Sequence, residues 1–93
     1  MGHQRLHAIV AGRVQGVGFR EFVRHEAATR SLTGYVRNGE DRRTVEVVAE
    51  GEEAVLDELL RALYEGPRFA RVESVDFNWS EASGGFARFG VEM

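Results

Sequence analysis

The sequence predicts an α+β sandwich of the ferredoxin-like, split βαβ kind, with two helices on one face of a mainly antiparallel sheet. Two observations predict it. The elements read strand, helix, strand, strand, helix, strand, with a short final strand, and the two helical stretches each carry one apolar stripe. Two such stripes are buried together only against the same face of one sheet, and right-handed crossovers complete a βαββαβ path. A chain of 93 residues supplies one hydrophobic core, so residues 1–93 are expected to form a single domain.

Residues 6–11, a short apolar run rich in alanine, isoleucine and valine and closed by Gly12, read as a buried strand. Three glycines between Gly12 and Gly18 interrupt regular structure and predict a loop. From Phe19 to about Arg30, Phe19, Phe22, Val23 and Ala27 recur at helical spacing, with Glu21, Arg24, Glu26 and Arg30 between them. Residues 35–38 and 44–50 alternate as two strands around a polar turn and are expected to form a hairpin. After Gly51, Glu52 and Glu53 suit a helix start, and Val55, Leu56, Leu59, Leu60, Leu63 and Tyr64 form a stripe that Gly66-Pro67 ends. Val75, Phe77 and Trp79 alternate with polar neighbours as a strand whose apolar side chains are expected in the core. A turn at Ser83-Gly84-Gly85 then returns the chain as a shorter strand over 86–91.

Composition removes several chemistries. All 12 basic residues are arginine, so a lysine Schiff base and a P-loop lysine are excluded, and anion chemistry falls to guanidinium groups or main-chain amides. There is no cysteine, hence no disulfide, thiolate nucleophile or cysteine-ligated metal. His3, His7 and His25 lack metal-ligand spacing, although His3 and His7 fit one face of a strand. A formal charge of -3 gives no broad positive field for nucleic acid or an anionic membrane. No stretch reaches the ~20 apolar residues of a membrane span, and the start Met1-Gly2-His3-Gln4-Arg5 is followed by too short an apolar run for a signal peptide. A cytoplasmic, monomeric protein without nucleic-acid or membrane partners is expected.

The informative segment is Gly12-Arg13-Val14-Gln15-Gly16-Val17-Gly18-Phe19-Arg20, a glycine-rich turn from a strand end into a helix start. Consecutive N–H groups in such a turn converge into a nest, and the helix that follows adds unpaired donors and the positive end of its dipole. Arg20, in the first helical turn, is placed to fold its planar fork across two oxygens of the same anion. Gly16-Val17-Gly18 runs on into Phe19-Arg20-Glu21, so a dinucleotide fingerprint lacks its third glycine, and no Gly-Lys-Ser/Thr completes a P-loop. On spacing alone a phosphate cradle and a plain tight connection are equally supported.

The run Val14-Gln15-Gly16-Val17-Gly18-Phe19-Arg20, then Gly34-Tyr35-Val36-Arg37-Asn38, then residues 45–51 and Gly66-Pro67 ahead of Ala70-Arg71-Val72, resembles the acylphosphatase family in sequence and order. The resemblance covers nearly the whole chain and is loosest over 86–91. It implies hydrolysis of the carboxyl–phosphate mixed anhydride of a small-molecule acyl phosphate, without metal or organic cofactor. It also implies that Arg20 binds phosphate, that Asn38 orients the attacking water, and that main-chain amides of Gln15, Gly16, Val17, Gly18, Phe19 and Arg20 hold the phosphoryl oxygens. An acyl phosphate has a good carboxylate leaving group, so positioned water and stabilised equatorial charge suffice.

Asn38-Gly39 is by itself a hairpin-turn dipeptide, and the resemblance is what gives Asn38 a chemical role. The segment Gly39-Glu40-Asp41-Arg42-Arg43-Thr44 is one residue longer than usual in the family and lacks its Asp-Gly pair. A bulge or wider turn would absorb that residue. A register slip would instead turn Asn38 to the opposite face and leave a noncatalytic anion-binding or regulatory module. His25 reads as a solvated helix residue, Arg42-Arg43 as a charged hairpin tip, and Glu46 and Glu50 as a solvated stripe. Residues 85–89 faintly resemble an RNA-recognition motif, but Arg88 stands where an aromatic is needed and the segment lies in the wrong strand.

Overall fold

The computed structural model describes residues 3–93. Met1 and Gly2, the first residues of the start that is followed by too short an apolar run for a signal peptide, lie outside the described residues. The chain runs β1 (His3–Arg13), α1 (Phe19–Ala28), β2 (Thr33–Asn38), β3 (Thr44–Glu52), α2 (Glu53–Glu65), β4 (Arg71–Glu81) and β5 (Phe89–Glu92). All five strands form one sheet in the order β4-β1-β3-β2-β5. β1 pairs antiparallel with β3 and β4, β2 antiparallel with β3, and β5 parallel with β2. This is the ferredoxin-like arrangement read from the element order, with β5 added at one edge.

Alternation along β1 and β3 sends Leu6, Ala8, Val10, Val45, Val47 and Ala49 to one sheet face, where all are buried. Phe19, Val23 and Ala27 of α1 and Leu56, Leu59, Leu60 and Leu63 of α2 close the same cluster. The periods of 2.0 and 3.6 residues thus meet at one apolar layer. No described helix is long and apolar enough to cross a membrane.

Three expectations are corrected. Val75 is core, but Phe77 and Trp79 are 40% and 37% exposed, although their partners Ala8 and Leu6 lie on the helix face. Two helices packed about 10 Å apart cover about 20 Å of sheet, whereas five strands span about 24 Å, so the edge strand β4 keeps part of its apolar face uncovered. The final strand begins at Phe89 instead of Phe86. Phe86 packs edge-on against Tyr35 at 6.0 Å, under the Arg5 guanidinium, and the chain reaches the parallel register only at Gly34 opposite Phe89.

Glu50 is not part of a solvated stripe; it is 3% exposed. The connection after β4 crosses over it, and its carboxylate accepts from Arg5 Nε at 2.8 Å, Ser83 N–H at 2.9 Å, Ser83 Oγ at 3.0 Å and Gly84 N–H at 3.0 Å. Glu46, on the same face, is half-buried between His7 Nε2 at 2.7 Å and Arg37 Nε at 2.6 Å. Burial alone would raise the Glu50 carboxyl, but the Ser83, Gly84 and Arg5 donors outweigh it and hold it at about 2, below its ordinary 4.5. A depressed carboxylate contributes stability that is complete above 4.5 and is lost as pH falls toward 2. Urea unfolding of Glu50→Gln is therefore expected to show a loss of about 2 to 3 kcal/mol at neutral pH. Between pH 5 and 2 the variant's midpoint should fall less than the parent's; parallel pH profiles would remove Glu50 as the cause.

Candidate active site

The turn between β1 and α1 departs from regular structure by alternating the sign of φ. Gly16 and Gly18 have φ of 76° and 78°, while Gln15, Val17 and Phe19 are not among the residues with positive φ. A Cβ built on Gly16 or Gly18 would meet nothing within 4 Å, so glycine is required for its left-handed backbone, and the space beside each is open. Alternating handedness makes successive N–H groups converge. Gly18 is the N-cap of α1 and supplies no side-chain cap, and none of the N–H groups of residues 15–20 donates to a protein acceptor among the described residues. The start of α1 therefore presents free donors and its positive dipole end to one concavity.

Arg20 occupies the first turn of that helix, half-buried, with no ion pair among the described residues. Its neighbour Glu21 also borders the concavity, but Arg24 holds its carboxylate, hydrogen-bonding it and drawing its pKa down. Arg20 and residues of the turn thus border a space whose one bordering carboxylate, Glu21, is held by Arg24.

Asn38 comes from the end of β2. It pairs with Val45, and Val36 pairs with Val47. Val36, Val45 and Val47 are all buried in the core, so the register has not slipped and residue 38 lies on the helix side of the sheet. The hairpin tip closes without moving that register. Arg42 takes a left-handed φ of 68°, and Asp41 Oδ1 accepts from Arg43 N–H at 3.1 Å and Thr44 Oγ1 at 2.8 Å. Gly39 N–H donates to Thr44 O at 2.9 Å, closing the loop below this tip.

A cavity of about 320 Å³ is bordered by Gly16, Gly18, Phe19, Arg20 and Asn38, with Val91 and Met93 of the C-terminal segment on another side. Asn38 borders this cavity, and its side-chain oxygen is buried without a hydrogen-bond partner among the described residues. A buried acceptor left unpaired costs about 1 to 3 kcal/mol, so the position calls for an explanation. Residues from the two sequence segments singled out above, 14–20 and 34–38, therefore border one space.

The remaining candidates separate from it. Val17 packs its side chain against the core, leaving only its main chain in the turn. His25 is exposed on α1, and Arg43 pairs with Glu73 at 2.8 Å. No cluster of three or more histidine or acidic side chains suited to a metal ion occurs among the described residues.

Two features escaped the sequence. Gln15 was expected only as an amide donor, but its side-chain Nε2 donates to Gly39 O at 3.0 Å and Thr44 O at 2.9 Å, tying the turn to the hairpin that carries Asn38. Val91 and Met93 border the cavity because β5 pairs parallel with β2, a long-range event that no local pattern announces.

Comparison with known proteins supplies a family. The family model Acylphosphatase matches residues 6–91. An acylphosphatase of Salinibacter ruber is 49% identical over 88 residues, covering 95% of this chain and 92% of that protein. One of Thermus thermophilus is 51% identical over 80 residues, covering 86% and 90%. The crystal structure of acylphosphatase from Bacillus subtilis superposes with a TM-score of 0.92 at 40% identity, over 97% of this chain and 99% of that one.

The Gln15 tie carries its own test. Gln15→Ala leaves two carbonyls without these donors, so a loss of about 1 to 2 kcal/mol in urea unfolding is expected. Amide exchange at Gly39 should quicken, whereas exchange at Leu59 and Leu60 should change only by the global stability loss. Unaltered exchange at Gly39 would show that the hairpin holds itself.

Proposed function

The chain belongs to the acylphosphatase family, and from that premise we propose that it hydrolyses the carboxyl–phosphate bond of small acyl phosphates at the cavity between the 14–20 turn and Asn38. The observation that carries the reading is the buried, unpartnered Asn38 oxygen beside a turn whose amides are also free. An acceptor on one side and donors on the other suit a water and a phosphoryl group held together.

In this reading the amides of residues 15–20 and the Arg20 guanidinium bind the phosphoryl oxygens, with the helix dipole adding to their pull. Asn38 Oδ1 accepts one hydrogen of a water and aims its lone pair at phosphorus. The water oxygen bonds to phosphorus in line with the acyl oxygen. The P–O bond to the acyl group breaks, its electron pair leaves with the carboxylate, and the water's proton passes to a phosphate oxygen. Charge accumulates on the equatorial oxygens, where the donors already stand, so stabilisation requires no reorganisation at that moment. In this proposal the protein works as a cytoplasmic monomer.

The noncatalytic alternative required a register slip at residue 38, and the Asn38–Val45 pairing is the unslipped one. The test is release of phosphate from acetyl phosphate in the presence of chelator. Asn38→Ala should lower kcat by roughly 10² to 10³-fold with KM little changed, the effect of removing one group that acts in the transition state. Arg20→Ala should lower kcat and raise KM together. Variants that are folded and retain the parent's rate would remove both assignments.

A further inference from the structure

Among the described residues Glu21 is the one acidic side chain that borders the cavity, and it follows Arg20 directly in the first turn of α1. Two demands meet at that helix end. An acidic side chain in the first turn favours the helix by meeting its positive pole. The same pole, with Arg20 beside it, is what draws the phosphoryl group in the proposed reaction. A free carboxylate there would repel the phosphoryl group and compete for Arg20. Residues one apart on a helix do not face each other, whereas residues three apart do, and the partner Glu21 finds is Arg24. Arg24 Nε donates to both Glu21 carboxylate oxygens at 3.0 Å, and Arg24 Nη2 donates to Glu21 Oε2.

Helix packing does not account for this pair. Arg30, just past the end of α1, bridges Glu26 on α1 to Glu58 on α2 and so ties the two helices together. Arg24 pairs with Glu21 alone among the described residues, and Glu21 with Arg24 alone. Arg24 is not one of the residues that border the cavity; it is half-buried and borders a separate groove with Leu32 and Phe89, both core residues. A cation outside the cavity thus holds the one acidic side chain at its border. We infer that Arg24 is a positioning residue for the reaction: by holding Glu21 it leaves Arg20 and the helix pole to the phosphoryl group, and so sets substrate affinity without touching substrate. The inference rests on the reading of the cavity as the phosphate site and adds to that reading a residue beyond the cavity wall.

Arg24→Gln, Glu21→Gln and the double variant Glu21→Gln/Arg24→Gln form a cycle that tests it, read as KM and kcat for acetyl phosphate and as Kd for inorganic phosphate at low salt. Arg24→Gln should raise KM and the phosphate Kd by about 3-fold with kcat little changed, a modest effect because the freed carboxylate is largely exposed and water screens it. Raised ionic strength should erase that difference. The double variant carries neither charge and should return both constants to the parent's, whereas a role in helix stability alone would leave it as weak as Arg24→Gln. Glu21→Gln, which leaves the Arg24 charge unopposed, should lower both constants by up to about 2-fold. Constants unmoved in Arg24→Gln, a double variant that stays weak, or a penalty indifferent to salt would each overturn the inference, and turnover by the parent would leave the acyl phosphate reading standing. A parent that binds phosphate but cleaves no acyl phosphate would sink that reading alone, and the phosphate constants would still decide the role of Arg24. A parent that neither binds nor cleaves would sink both. Urea midpoints establish that the variants are folded. If Arg24→Gln does not fold, Glu21→Gln decides, and constants that rise or stay at the parent's overturn the inference.

Discussion

The parity of one strand governs the site. A β-strand alternates its side chains between two faces, so residue 38 points either into the space under the glycine turn or away from it, with no intermediate choice. Opposite Val45, it faces the helix side, in line with the buried Val36. The register is held from two directions. A one-residue slip of β2 would take Val36 out of the core while Val45 and Val47 stayed buried on β3, and the Gln15 side chain grips Gly39 O and Thr44 O where the strands part. The burial of Val36 thus fixes the face on which an amide two residues further along its strand stands.

Polar groups are treated in opposite ways at the two ends of the sheet. Around Glu50 the carboxylate is almost wholly withdrawn from water and each donor is spent on it, so the crossing segment 83–85 is pinned. At the other end, the amides of the turn, the start of α1, the Arg20 guanidinium and the Asn38 oxygen have no hydrogen-bond or ion-pair partner among the described residues. An unpaired buried acceptor such as the Asn38 oxygen destabilises a fold, and it is what the proposed ligand would complete. The pinned end also directs the chain into β5, whose pairing with β2 brings Val91 to the cavity.

Much of this was legible in the residues. The stripes of Phe19, Val23 and Ala27 and of Leu56, Leu59, Leu60 and Leu63 announced both helices, and alternation in residues 44–50 announced a central strand, because local periodicity and tertiary burial agree there. The glycine spacing foretold the turn, and the resemblance to a family brought Asn38 to it. What stayed hidden depends on distant partners. Glu50 follows the alternating pattern of a solvated position, and only the crossing of Ser83 and Gly84 buries it. Phe77 and Trp79 carry a core pattern, and only the edge position of β4 exposes them. The partners of the Gln15 side chain lie 24 and 29 residues away.

The central claim is that turn amides and the Asn38 carboxamide face the same tetrahedral anion. Titration of the ¹⁵N-labelled protein with inorganic phosphate, followed by amide chemical shifts, addresses it most directly. The account predicts that backbone signals of residues 15–20 and the Asn38 side-chain NH₂ move together along one saturation curve. A saturating shift of the turn that leaves the Asn38 side chain unmoved, or phosphate shifts that gather elsewhere on the sheet, would contradict it.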